Sequence, residues 1–327
     1  MSAAPALGGR AGRARPVIFL MGPTASGKSG LAVQLARRYP VEIVSVDSAQ
    51  VYRGMDIGTA KPSRELRTAV PHHLVDILDP ARRYSAGRFR TDALACIEAI
   101  LARRRVPLLV GGTMLYFRAL QGKVDDLPPA DPAVREALRE EARRFGWEAL
   151  HRRLAGIDPE AAGRIHPNDP QRIQRALELY RLTGLAPTEL YRRQGAQSRE
   201  YRITRVIVSP SSRALLHQRI ARRFHDMLEQ GFIDEVRALR ARADLNPEIP
   251  SMRAVGYRQL WEYLDARRTR DEAIARGIAA TRQLAKRQLT WLRREREAVW
   301  LDSSDPGLAA KTAERLGAAI ADGGMCL

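Results

Sequence analysis

Apolar residues fall along this chain in short, predominantly apolar runs, separated by longer stretches patterned at helical spacing. The runs are Val17-Ile18-Phe19-Leu20-Met21, Val41 to Val46, His73 to Leu78, Leu108 to Val110, Val206 to Val208 and Val299 to Leu301. A run without polar alternation suits a strand buried on both faces, and helical stretches between such runs suit crossover connections. The pattern therefore predicts an α/β fold, a parallel sheet flanked by helices. In such sheets ligands bind outside the carboxyl ends of the strands.

The segment 124–202 breaks this rhythm. It opens with a Pro/Asp linker, Asp125-Asp126-Leu127-Pro128-Pro129-Ala130-Asp131-Pro132, and then reads as amphipathic helices over 133–144, 147–154 and 170–182, with turns at Asp158-Pro159, Pro167-Asn168-Asp169-Pro170 and Gly184. It carries no strand pattern before about 201 and is expected to be an all-helical insertion into an α/β core formed by 16–123 and 203–320. Within that core a basic helix is predicted from Asp271 to about Glu297, opened by the capping box Thr269-Arg270-Asp271-Glu272. Residues 1–15 are rich in Ala, Gly and Arg, lack an apolar stretch, and are expected to be a flexible tail and not a signal peptide.

Charge changes the picture. The 327 residues carry 55 Lys and Arg against 37 Asp and Glu, a formal net charge of +18. A small acidic substrate alone does not need that excess; a polyanion such as RNA does, although a preference for Arg over Lys across a whole genome would leave the same trace. Two cysteines, Cys96 and Cys326, are too few for a disulfide scaffold and fit a reducing cytoplasm. No apolar run approaches the roughly 18 residues of a membrane span, so no membrane partner is expected.

The sharpest chemical signal is Gly22-Pro23-Thr24-Ala25-Ser26-Gly27-Lys28-Ser29, which follows the first strand and leads into an amphipathic segment, Leu31 to Arg38. It satisfies the phosphate-loop pattern G-x-x-x-x-G-K-[ST]: glycines turn backbone N–H groups around an anion, Lys28 reaches phosphate oxygens, and Ser29 offers a hydroxyl to Mg²⁺. The loop specifies phosphates, not ATP. Asp47 ends the second strand at the same edge and could be a general base or hold Mg²⁺. Gly111-Gly112-Thr113 follows the fourth run with no carboxylate, and Thr113 could serve a reacting oxygen or simply cap a turn. Arg219 and Arg223 share one face of a predicted helix, His217 to Gln230, and either could clamp phosphates. On the basic helix Arg282, Lys286 and Arg293 fall near one face and Arg287 and Arg294 on another, with Gln283, Gln288 and Trp291 between them. Such a helix suits a phosphate backbone and unstacked bases, or is merely a solvated surface. The six histidines show no metal spacing.

Together these residues resemble the tRNA dimethylallyltransferase (tRNA isopentenyltransferase) family. The resemblance runs from the phosphate loop through Asp47-Ser48-Ala49-Gln50-Val51-Tyr52, Met55 to Pro62, Gly111-Gly112-Thr113-Met114-Leu115-Tyr116, Ile165-His166-Pro167-Asn168-Asp169 with Gln171-Arg172-Ile173, and Val255-Gly256-Tyr257-Arg258-Gln259 to Lys286-Arg287-Gln288-Leu289-Thr290-Trp291. The motifs keep the family's order and cover 17 to about 302. One departure is the absence of the cysteines of a C-terminal zinc finger, which eukaryotic relatives carry; only Cys326 lies there, as in the bacterial form.

The resemblance implies transfer of a dimethylallyl group from dimethylallyl diphosphate to N6 of the adenosine 3′ of a tRNA anticodon, in a cytoplasmic and monomeric enzyme using Mg²⁺. It implies a P-loop NTPase-like sheet whose loop, Gly22, Pro23, Thr24, Ala25, Ser26, Gly27, Lys28 and Ser29, holds diphosphate together with Arg223. Asp47 is then the general base and Thr113 supports the reacting centre. The implied contacts to the anticodon stem-loop are Asp47, Ser48, Ala49, Gln50, Thr113, Arg135, Gln171, Arg172, Ile173, Gln174, Arg175, Arg253, Gly256, Tyr257, Arg258, Lys286, Arg287, Gln288, Trp291 and Arg293. Residues alone leave two other classes open: a P-loop kinase of a small metabolite, which would not need the basic surface, and a non-catalytic RNA-binding protein, which would not need Lys28, Ser29 and Asp47 intact.

Overall fold

The computed structural model describes residues 15–122, 127–193 and 201–322; apart from Arg15, the tail assigned to 1–15 lies outside them, as do Asp125 and Asp126 of the linker. In chain order the elements are β1 (Arg15–Met21), α1 (Lys28–Ala36), β2 (Val41–Val46), α2 (Arg64–Ala69), β3 (His72–His73), α3 (Ala86–Ala102), β4 (Val106–Gly111) and α4 (Met114–Leu120). Four helices follow, α5 (Pro132–Ile157), α6 (Pro159–Arg164), α7 (Pro170–Thr183) and α8 (Pro187–Arg193). Then come β5 (Tyr201–Ser209), α9 (Arg213–Glu229), α10 (Phe232–Arg240), α11 (Tyr257–Leu264), α12 (Arg270–Leu292), β6 (Val299–Asp302) and α13 (Leu308–Asp322).

The six strands form one sheet in the order β3-β2-β4-β1-β5-β6, with every pairing parallel. β2 and β4 are buried along their whole length, Glu42 and Ser45 of β2 included, and β1 at all but its first residue, as a parallel sheet covered by helices on both faces requires. The connection leaving β1 runs to one side of it and the later strands β5 and β6 lie on the other, so the loop after β1 occupies the point where the winding reverses. One cluster centred on Ile18, Leu20, Val41, Leu108 and Val206 packs the sheet against α1 and α13. A second gathers Tyr52, Met55, Phe224, Phe232, Tyr257 and Trp261 with the residues of α9 to α12.

Two expectations are corrected. The run His73 to Leu78 is not a strand: Leu74 (φ 61°) and Asp76 (φ 57°) take left-handed conformations, so pairing stops after His73 and resumes only as a single bridge between Tyr52 and Leu78. The basic helix ends at Leu292, not near Glu297, although its Thr269 cap forms as expected.

The second compact unit comprises 118–198 with Ala86–Arg90, where composition placed the boundaries at 124 and 202. Composition marks the Pro/Asp linker, whereas packing also draws in the end of α4 and the first turn of α3. Asp131, Asp158 and Asp169 each cap a helix that opens with proline, which fixes where α5, α6 and α7 begin. α5 is broken at Gly146 (φ 78°, ψ 156°), the gap expected between 144 and 147. Leu138, Leu150, Leu154, Ile173 and Leu177 form this unit's core.

That core also encloses a carboxylate. Glu178 is fully buried and accepts from Arg135 (2.8 and 3.0 Å), Arg175 (2.8 Å) and the N–H of Asp131 (2.8 Å). Burial pushes its carboxyl up, but the Arg135 and Arg175 bonds outweigh this and hold it below the ordinary 4.5. Its contribution is therefore present above 4.5 and lost as pH falls through the lowered value. Glu178→Gln should cost about 3 kcal/mol at neutral pH by stranding two guanidiniums, read as a lower urea midpoint, with the difference from the parent shrinking in acid.

Candidate active site

The loop after β1 closes on itself: Ser26 N–H donates to the carbonyl of Pro23 (3.3 Å), and Ala25 (φ 61°) and Gly27 (φ 88°) turn left-handed. Lys28 Nζ donates back to the same carbonyl at 3.1 Å. No side chain caps α1 and its first turn has no acid, so its leading N–H groups keep their positive field for a ligand. Ser26 Oγ is buried without a partner. The loop sits so close to the sheet that a Cβ on Gly22 would lie 2.3 Å from the carbonyl oxygen of Val208, which excludes any other residue.

The ends of β2 and β4 are tied beside it. Asp47 Oδ1 accepts from the N–H of Ala49 (2.8 Å) and Gln50 (3.4 Å). Thr113 N–H donates to Val46 O at 3.2 Å, and Thr113 Oγ1 accepts from Ser48 N–H at 3.1 Å. Gln288, on α12, spans the remaining gap: its Oε1 accepts from Thr24 N–H (2.9 Å) and its Nε2 donates to Gly112 O (3.0 Å). A Cβ on Gly112 would meet that Nε2 at 2.3 Å, so the second glycine of Gly111-Gly112 makes room for the brace.

These groups open into one cavity of about 840 Å³. Thr24, Ala25, Gly27, Lys28, Ser29, Asp47 to Gln50, Gly111 to Thr113 and Arg223 line its polar part; Tyr52, Ile57, Met114, Ile220, Phe224, Met227 and Phe232 form an apolar wall; Arg253, Tyr257, Arg287 and Trp291 line it as well. Burial pushes the Lys28 ammonium down to about 8, Arg223 pushes it the same way, and Asp47 partly opposes them. Burial also lowers Arg223, with Asp47 again opposing. The site thus holds two desolvated cations against one carboxylate and is primed for an anion.

The family model described as IPP transferase matches residues 50–295, and one described as isopentenyl transferase matches 16–75. The chain belongs to the IPP transferase family. It is 63% identical over 287 residues to the tRNA dimethylallyltransferase of Alkalilimnicola ehrlichii, covering 88% of this chain and 90% of that one. Among solved structures it is similar to the full-length tRNA isopentenylpyrophosphate transferase of Bacillus halodurans (37% identity, 95% of this chain and 98% of that one, TM-score 0.69). It is also similar to a eukaryotic dimethylallyltransferase caught acting on tRNA (28% identity, 92% and 77%, TM-score 0.79).

For this member of the IPP transferase family the structure separates the two candidate arginines: Arg223 lines the cavity, while Arg219 donates to Ser303 Oγ at 2.7 Å. Gln288 has both ends of its amide committed to backbone. Arg258, Lys286 and Arg293 are exposed and lie outside the cavity lining, whereas Gly256 is buried. In the helical unit Gln171 and Arg172 are exposed, Ile173 is core, Gln174 donates to Arg135 O, and Arg135 and Arg175 serve Glu178. The apolar wall was missed because Ile220, Phe224 and Met227 repeat at the spacing of any core-facing helix. Gln288→Ala should leave Thr24 N–H and Gly112 O unpaired, costing about 1–3 kcal/mol; the thermal midpoint should fall and pyrophosphate should bind more weakly by calorimetry.

Proposed function

We propose that this chain transfers the dimethylallyl group of dimethylallyl diphosphate to the exocyclic N6 of the adenosine 3′ of the anticodon in tRNA, releasing diphosphate. The observation that carries the reading is the pairing, in one cavity, of an uncapped helix N-terminus bearing Lys28 with a strand-end carboxylate, Asp47, and an apolar wall. A phosphate loop beside an apolar wall suits an isoprenoid diphosphate, and a carboxylate nearby suits deprotonation of an acceptor. In the transfer the N6 lone pair forms a bond to C1 as the C1–O bond breaks, and the N6 proton passes to Asp47.

An adenine amine is a weak nucleophile, so most of the acceleration must come from neutralising the leaving diphosphate. The N–H groups of the loop, Lys28 and Arg223 supply that, and Thr113, which accepts from Ser48, retains its own hydroxyl proton for a reacting oxygen. The wall of Ile220, Phe224 and Phe232 keeps water from an allylic carbon that is cation-like at its most reactive. The residues present fit Mg²⁺: Ser29, next to Lys28 at the start of α1, lines the cavity and offers a hydroxyl oxygen, a hard donor, beside the phosphate loop. That matches an ion held chiefly by substrate phosphates and water. When bound, the ion adds positive charge to the departing diphosphate.

For the tRNA we assign the basic lining residues Arg253 and Arg287, with Trp291 as a stacking surface for an unstacked base. Exposed Arg258, Lys286 and Arg293 supply backbone charge. In the helical unit, taken by itself, the exposed Gln171 and Arg172 are assigned to the tRNA, whereas buried Ile173 and the engaged Gln174, Arg175 and Arg135 hold that surface in place. We also assign the chain to the cytoplasm and to a monomeric state; no helix among the described residues is long and apolar enough to cross a membrane.

The direct test is incubation with labelled dimethylallyl diphosphate and unmodified tRNA: label should enter the tRNA, and labelled ATP should give none. Asp47→Asn should keep tRNA affinity and lose about 10²–10⁴-fold in transfer; near-normal turnover would remove Asp47 as the base. Donor affinity should also report Lys28. The cationic form binds diphosphate, so affinity should hold below about pH 8 and fall above it by up to about tenfold per pH unit. Calorimetry across that range should show the fall in the parent and not in Lys28→Ala.

A further inference from the structure

Glu235, on α10, accepts four hydrogen bonds. Its Oε2 takes the N–H groups of Asp56 (2.9 Å) and Ile57 (2.7 Å); its Oε1 takes the N–H of Gly58 (3.1 Å) and the hydroxyl of Tyr257 (2.6 Å). Three successive N–H groups turned onto one carboxylate form a concave cradle, which fastens a loop separated from Glu235 by more than half the chain. That loop has little freedom: a Cβ on Gly58 would lie 2.2 Å from the Phe232 ring, and Thr59 Oγ1 donates to Met55 O at 2.8 Å.

The loop in turn grips the turn that carries Asp47. The carbonyls of Thr59 and Ala60 each accept from Gln50 Nε2 at 3.3 Å, and Gln50 Oε1 accepts from Ser45 Oγ at 2.9 Å. The backbone N–H of Gln50 then donates to Asp47 Oδ1. An unbroken series of hydrogen bonds and one short loop therefore joins α10 to the end of β2.

From this series we infer that Glu235 is a positioning residue for Asp47: by anchoring the 56–58 amides it fixes Gln50, and through Gln50 the orientation of the Asp47 carboxylate. The inference rests on Asp47 being the base. A glutamine at 235 keeps the shape and one acceptor oxygen, but its NH₂ would face two of the four donors, so the anchor would loosen without a cavity forming.

The test uses the full chain with Glu235→Gln. Amide hydrogen exchange in the substrate-free protein should quicken at 56–58 and also at Ala49 and Gln50. Single-turnover transfer at saturating donor and tRNA should fall by about 10–100-fold, while the half-saturating donor concentration stays unchanged because the phosphate loop is untouched. In a Gln50→Ala background the same substitution should add little further loss. Glu235→Asp, which keeps the charge on a shorter stem, should lie between the parent and Glu235→Gln and serves if the glutamine variant does not fold. Faster exchange confined to 56–58, or losses that simply add to those of Gln50→Ala, would overturn the inference. If Asp47→Asn keeps normal turnover, the base assignment falls, but the exchange at 49 and 50 still decides whether Glu235 reaches that turn.

Discussion

Positive charge buried without an equal share of negative charge is the constraint on which this site depends. Lys28 and Arg223 are desolvated and disfavour one another, and Asp47 is the carboxylate that offsets both. Removing an ammonium from water is costly, and under the proposed function that cost is offset when a diphosphate arrives. In its absence the lowered Lys28 value means that the unfolded chain binds more protons between about pH 8 and 10.5, so donor-free stability rises with pH across that interval. A site of this kind binds its anion by relieving a penalty already built into the fold.

Such a penalty persists only if the cations cannot swing into water, which demands rigid surroundings. The loop is pinned from beneath by the close approach of Gly22 to Val208 and from α12 by the Gln288 amide. Thr113 joins the end of β4 to the turn after β2, so three strand ends share one set of hydrogen bonds. The carboxylate, the phosphate loop and the glycine turn therefore hold a fixed relation before any substrate binds. The apolar wall, built largely from α9 and α10, completes the arrangement with an apolar surface that polar chemistry alone would not supply.

Much of this was legible from the residues in order. The phosphate loop, the β2 carboxylate and the sheet announce themselves because a strand–loop–helix motif and an apolar run are local patterns, set by a few neighbouring residues. The cap at Thr269 was readable for the same reason, whereas Asp131, read as linker, and Asp158 and Asp169, read as turns, prove to be helix caps. Left-handed Leu74 and Asp76 were not readable, because local apolarity favours extension there and the turn is imposed by the surrounding chain.

Long-range packing settles which polar groups are spent on the protein itself. Gln288 and Arg135 look like free contacts in a basic sequence, yet one braces two loops and the other neutralises Glu178. Arg219 and Arg223 are equivalent by helical spacing, and only packing sends one to Ser303 and the other to the cavity. Contiguous residues and backbone geometry suffice for the fold class, the phosphate-loop pattern and the carboxylate that ends β2. Which side chains are desolvated, and hence whose charge is available to a ligand, depends on partners far away in the chain, and no local pattern encodes that distance.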